Sequence, residues 1–81
     1  MAFVYILKSC NCNITYTGST TDMERRLAEH NSGESSFTKK YMPWKIIYTE
    51  EFADLHEARL RERYFKTCAG RKRIKKIMES E

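Results

Sequence analysis

Apolar residues open the chain in an unbroken run, Ala2-Phe3-Val4-Tyr5-Ile6-Leu7, rich in side chains that favour extended backbone. A short run without polar alternation predicts a strand buried on both faces. A second β-favouring segment, Ile14-Thr15-Tyr16-Thr17, follows a stretch of Ser, Cys and Asn that tolerates tight or left-handed turns, so the pair predicts an antiparallel hairpin. With residues 8 to 13 in the loop, Leu7 faces Ile14 and Tyr5 faces Tyr16, which sets two phenols side by side on one face. A slip of one residue separates them.

Beyond the hairpin the apolar period lengthens. Thr21-Asp22-Met23-Glu24 has the form of a capping box, and Asn31-Ser32-Gly33 supplies a stop, so a helix is expected between them. Its face of Met23, Leu27 and His30, with Arg26 on the edge, turns toward the sheet. Residues 32 to 43 read as a polar, Ser-rich connection closed by Pro43, and Lys45-Ile46-Ile47-Tyr48-Thr49 as a third strand. Asp54-Leu55-His56-Glu57 repeats the capping pattern and opens a second helix, with Leu55, Ala58, Phe65 and Ala69 as its inward stripe and Leu60 and Tyr64 opposite. Gly70 breaks this helix from a last one running from Arg71 to about Met78. The order β-β-α-β-α-α predicts an α+β fold, a small three-stranded antiparallel sheet flanked by helices.

Glu62 falls in the middle of the inward stripe, and an ionised carboxylate there is costly without a cationic partner. It either meets a metal ion or forms a salt bridge with Arg26 or another base. Tyr5 and Tyr16 are likewise open to two readings, as groups that act on a substrate or as a cross-strand aromatic pair in the core. His30 either shares in the chemistry or is a partly buried histidine bonded to a neighbour.

At 81 residues the chain has room for one modest core, so residues 1–81 are read as a single domain. Residues 59 to 81 carry nine Lys or Arg against three acids, whereas residues 1 to 58 carry six against eight, and this asymmetry suits a polyanionic partner or a solvated helical face. Three cysteines cannot all pair within one chain, and no apolar run resembles a signal peptide or spans a bilayer, which points to a reducing cytoplasm and away from a membrane. Cys10-Asn11-Cys12 lacks the second ligand pair of a zinc site and reads as loop thiols, and Cys68 as a packing residue on a helix.

Tyr5, Tyr16, Arg26, His30 and Glu62 thus come from four elements that all turn toward the sheet. The signatures Phe3-Val4-Tyr5, Tyr16-Thr17-Gly18, Glu24-Arg25-Arg26-Leu27-Ala28-Glu29-His30 and Glu62-Arg63-Tyr64-Phe65-Lys66 fall in order along the chain, joined by Phe37-Thr38-Lys39-Lys40, Pro43-Trp44 and Gly70-Arg71. Together they resemble the GIY-YIG nuclease family, and most of all its small stand-alone bacterial members, which are similar to the nuclease modules of excision-repair proteins and homing endonucleases. The Gly and Ile of the first signature are here Phe3 and Val4, and the middle Ile of the second is Thr17.

The resemblance implies an endonuclease that hydrolyses nucleic-acid phosphodiesters, with structure-selective action on DNA expected over RNA and a place in repair or recombination. It implies that Glu62 holds one Mg²⁺ or Mn²⁺ ion, that Tyr5 takes a proton from the attacking water, and that Tyr16 and His30 orient or relay. Arg26, always charged and planar, suits a phosphate oxygen. An ordinary tyrosine is a poor base at neutral pH, so the role implied for Tyr5 needs nearby cations. Gly18 would permit a tight turn and a close backbone approach. Arg25, Lys39, Lys40, Lys66, Arg71, Lys72 and Arg73 are the expected phosphate contacts. Trp44 either stacks on an unpaired base or covers the core. Two other classes remain open: a nucleic-acid-binding module with little or no cleavage, and an adaptor whose basic tail contacts an acidic protein partner that supplies targeting.

Overall fold

The structure is a computed structural model and describes residues 1–80. Strands β1 (Ala2–Ser9), β2 (Thr15–Thr20) and β3 (Trp44–Phe52) form one antiparallel sheet in the order β2-β1-β3. Helix α1 (Met23–Asn31) and a four-residue helix α2 (Ser36–Lys39) lie between β2 and β3, and α3 (Leu55–Phe65) and α4 (Cys68–Glu79) follow β3. The expected α+β fold and element order hold, with α2 as one added turn inside the connection read as irregular.

As the central strand, β1 has neighbours on both edges and helices over both faces, which is why it reads as a continuous apolar run. Ala2, Val4 and Ile6 pack with Ala58, Phe65 and Ile74 on the face covered by α3 and α4. Tyr5 and Leu7 point the other way and pack with Tyr16, Met23, Leu27, Tyr41 and Trp44 under α1. Removing each large aliphatic side chain of β1 from water is worth about 1.5–3 kcal/mol, so the alternation of its side chains fixes what every other element can cover. Trp44 is buried and donates its indole N–H to the Thr38 carbonyl at 2.8 Å. It covers the core and has no face open to a base.

Several local expectations shift by a residue or two. The hairpin register is Leu7 opposite Tyr16 and Tyr5 opposite Gly18, two residues from the expected pairing, because β1 runs on to Ser9 and the turn closes between Ser9 and Ile14. The parity survives, so both phenols still share a face. Asp22, not Thr21, caps α1 and accepts from the Arg25 amide, while Asp54 caps α3 as expected and accepts from the Glu57 amide. Leu60 is exposed, Tyr64 packs beside Phe65, and Ala69 and Cys68 are exposed residues of α4. Cys68 is therefore not a packing residue.

Gly70 does not separate the last two helices but lies in the first turn of α4, whose N-cap is Thr67. A Cβ there would stand 2.1 Å from the Tyr64 carbonyl oxygen and 2.4 Å from Phe65 Cα. Both are backbone atoms that cannot rotate away, so only glycine lets α4 close against the end of α3. Gly70→Ala is expected to lower stability by about 2 kcal/mol or more, seen as a fall in Tm of roughly 10 °C in a thermal melt. An unchanged Tm would show that the two helices are not held this closely.

Candidate active site

The site is organised around a buried hydroxyl. Tyr5 is 1% exposed, and its ring extends across β2 over the residue opposite it. That residue is Gly18, and a Cβ at this position would fall 2.4 Å from the Tyr5 hydroxyl oxygen and 2.6 Å from Cζ. Gly18 therefore lies within a strand, not in the turn expected of it, and its close-approach role is the one the structure displays.

Two residues of α1 complete the environment of this hydroxyl. Arg26 Nε donates to Tyr5 Oη at 3.2 Å, and His30 Nε2 lies 3.1 Å from the same oxygen. On the far side of the imidazole, Nδ1 is 3.0 Å from Thr38 Oγ1. Arginine only donates, so the assignment that satisfies the network sends the Tyr5 O–H to His30 Nε2 and the His30 Nδ1–H to Thr38. Tyr16 joins from the same sheet face, its ring centroid 6.4 Å from that of Tyr5 and 4.8 Å from that of His30.

The electrostatics follow from burial. Burial raises the pKa of Tyr5 above its ordinary value, and the hydrogen bond and charge of Arg26 oppose that only in part. Burial, aided by the Arg26 charge, lowers the pKa of His30 and keeps its ring neutral. The hydrogen bonds to Tyr5 and Glu29 raise that of Arg26. Its Nη1 is 2.9 Å from Glu29 Oε1, and about a third of the side chain is open to solvent.

Glu62 arrives from the other side of the sheet. Ser19 lies opposite Val4 and so shares the α3 face, and its hydroxyl donates to Glu62 Oε1 at 2.7 Å. Lys66 Nζ donates to Oε2 at 2.8 Å. Burial works against the Glu62 charge, but the bonds from Lys66 and Ser19 outweigh it and hold the carboxyl below the usual carboxylate range. The four groups from β1, β2 and α1 thus form one cluster, while Glu62 lies on the opposite face of the sheet, bonded to Ser19 of β2, and its charge is the least of the effects acting on the Tyr5 pKa. The shared inward face expected for all five is corrected to two faces joined at Gly18–Ser19. The salt bridge read as an alternative for Glu62, with Arg26 or another base, is present with Lys66, an i,i+4 neighbour on α3.

Among the described residues no three His, Cys, Asp or Glu side chains converge as a metal site. One carboxylate with a hydroxyl beside it suits a hard cation that keeps most of its water and takes other oxygens from a phosphate. The Lys66 ammonium, paired with Glu62 at 2.8 Å, is 60% exposed. Below Tyr16 an open groove of about 350 Å³ runs past Thr15, Thr17 and Phe37 to Lys66 and Arg71. Arg73 lies elsewhere, lining a separate pocket with Tyr48 of β3, and Arg25 pairs with Glu29 at 3.8 Å. Lys39, Lys40 and Lys72 are exposed. No helix among the described residues is long and apolar enough to cross a membrane.

Thr38 falls inside the Phe37–Lys40 segment of the resemblance but with no role assigned to it, and Ser19 carries no signal, since a single hydroxyl in a polar stretch has no periodicity. The Glu62–Lys66 spacing was a visible signal. Because the folded pKa of His30 lies below its unfolded value, the unfolded chain binds more protons between the two, and stability must fall as pH drops below about 6.5. Thermal melts between pH 7 and pH 5 should show this decline, and it should largely disappear in His30→Gln. An equal decline in that variant would place its origin elsewhere.

The GIY-YIG catalytic domain matches residues 1–75. A UPF0213 protein of Staphylococcus haemolyticus is 41% identical over 78 residues, covering 95% of this chain and 94% of that protein. Another, from Listeria welshimeri, is 41% identical over 80 residues, covering 98% and 88%. The solution NMR structure of a UPF0213 protein from Bacillus halodurans superposes with a TM-score of 0.55 at 32% identity, covering 96% of this chain and 84% of that one. With the sheet order, the tyrosine pair and the Arg26–His30 helix already placed, these matches establish that the chain belongs to the GIY-YIG catalytic domain family and has a nuclease-type fold.

Proposed function

We propose that this protein is a metal-dependent endonuclease that hydrolyses nucleic-acid phosphodiester bonds, DNA in preference to RNA. The observation that carries the proposal is the placement of two chemically distinct groups on adjacent residues of one edge strand. Gly18 receives the Tyr5 hydroxyl with its Arg26 and His30 partners, and Ser19 holds the Glu62 carboxylate.

In this reading Glu62, oriented by Ser19 and freed from Lys66, would hold one Mg²⁺ or Mn²⁺ ion. The bound ion would supply charge neutralisation at the phosphate and help for the departing oxygen. Arg26 turns its exposed terminal nitrogens from Glu29 to a non-bridging oxygen, keeping Nε on Tyr5. Tyr5, as a phenolate whose charge Arg26 offsets, accepts the proton of the attacking water, and in the resting site its O–H rests on His30 Nε2. Thr38 fixes the tautomer that leaves Nε2 able to accept, and Tyr16 walls the site. Lys66 and Arg71 in the groove, with Lys39, Lys40 and Lys72 beyond it, position phosphates without reading bases.

The depth of Tyr5 favours a second reading, a binding module of the same scaffold with little turnover. Cleavage assays on branched, flapped and single-stranded DNA separate the two. We expect Mg²⁺- or Mn²⁺-dependent nicking that drops about 10²–10³-fold in both Glu62→Gln and Arg26→Ala, with folding retained. Binding that survives in Glu62→Gln, with no cutting by the unaltered chain under any divalent metal, would leave the binding module.

The raised pKa of Tyr5 also sets the pH profile. Throughout the neutral range the phenol is protonated, so kcat/KM should climb roughly tenfold per pH unit from pH 7 to 9 without a plateau, and the climb should be absent in Tyr5→Phe. The same slope in Tyr5→Phe would remove Tyr5 from the proton path.

A further inference from the structure

We propose that the groove along the free edge of β2 is a subsite for one unpaired nucleotide beside the phosphate to be cut, with its base stacked on Phe37 and its phosphate on Lys66 and Arg71. The inference rests on the nuclease reading above and adds what the site selects.

Its starting point is an aromatic ring on the wrong side of a helix. Helix α2 is only four residues long, and its N-cap Ser35 makes no capping bond through its side chain. It is anchored through Thr38, which is fully buried, holds His30 through its hydroxyl and accepts from Trp44 through its carbonyl. Turning Thr38 inward turns Phe37 outward, where it remains 46% exposed. A single exposed apolar residue means little. Phe37, however, is the aromatic among the large exposed apolar side chains of the described residues, and it lines the groove.

The ring is also held in place. Its centroid is 6.0 Å from that of Tyr16 and 5.4 Å from that of Tyr41, so one side is braced while the rest is open. Across the groove stand Lys66, at the end of α3, and Arg71, in the first turns of α4, and Tyr16 connects the groove to the Tyr5 cluster. A fixed aromatic platform facing two cations at the spacing of one groove complements a base and its phosphate. A base within a duplex has both faces covered by its neighbours and cannot lie on Phe37, which commits the occupant to an unpaired position such as a flap, gap or single strand. Stacking on a ring accepts any base, so the selection is for strand structure and not for sequence. This assigns to Phe37 the platform role that the burial of Trp44 denies to that residue.

Binding measured by fluorescence anisotropy in EDTA, where no cutting occurs, tests the subsite. The probes are a labelled oligothymidine single strand and a blunt duplex of equal length. Phe37→Ala should bind the single strand roughly 5- to 100-fold more weakly and the duplex nearly unchanged, while Phe37→Tyr stays close to the unaltered chain on both. In Phe37→Trp, the added emission should be quenched by the single strand and not by the duplex. Thermal melts confirm that the three variants fold.

Unchanged single-strand binding by Phe37→Ala, or an equal loss on both probes, overturns the subsite. If that result comes with metal-dependent cutting by the unaltered chain, the subsite alone fails and the nuclease reading stands. If the unaltered chain binds neither probe, both fail together.

Discussion

A phenolic oxygen sealed inside a small sheet must have its hydrogen bonds supplied by the protein, since leaving them unmade costs on the order of 1–3 kcal/mol. Much of this molecule follows from meeting that need at Tyr5. The ring extends across β2 only because Gly18 has no side chain there. The oxygen then takes its hydrogen bond from Arg26 and has His30 as its second partner, which fixes the rotation of α1 about its axis. His30 in turn requires Thr38, and Thr38 orders the short helix whose carbonyl receives Trp44. What satisfies the core also preassembles a guanidinium, a phenol and a neutral imidazole at one point.

The carboxylate belongs to a separate system. Glu62 is positioned by α3, the Ser19 hydroxyl and Lys66, all on the face of the sheet opposite Tyr5. The two systems are joined by consecutive residues of an edge strand, whose side chains necessarily point to opposite faces. An edge strand is the one place where groups on opposite faces can reach around to a common substrate. The same edge borders the groove that holds Phe37, Lys66 and Arg71.

Much of this was legible in the residues. The unbroken Ala2–Leu7 run announced a central strand, Asp54 announced a helix start, and the polar position inside the apolar stripe singled out Glu62. The phenols were assigned to one face correctly although their register was not, because a slip of two preserves parity. What escaped detection has a common cause. Gly70 looked like a helix breaker because the sequence does not show that another helix end lies against it, and Gly18 looked like a turn for the same reason. Glu62 was placed with the tyrosines because helical periodicity says which side of a helix faces a sheet and says nothing of which face of the sheet it covers. Thr38 and the platform at Phe37 depend on a helical turn too short to leave a periodic trace, and Ser19 on which helix covers its face of the sheet.

The central claim is that Glu62 and the Tyr5 cluster, on opposite faces, serve one site at the Gly18–Ser19 edge. Titrating Mn²⁺ into the isotope-labelled protein while following paramagnetic broadening of its NMR signals tests this most directly. The account predicts early broadening at Ser19, Glu62 and Gly18, extending to the ring signals of Tyr5 and Tyr16 and abolished in Glu62→Gln. Broadening centred on other carboxylates, or confined to the α3 face without reaching either tyrosine, would contradict it.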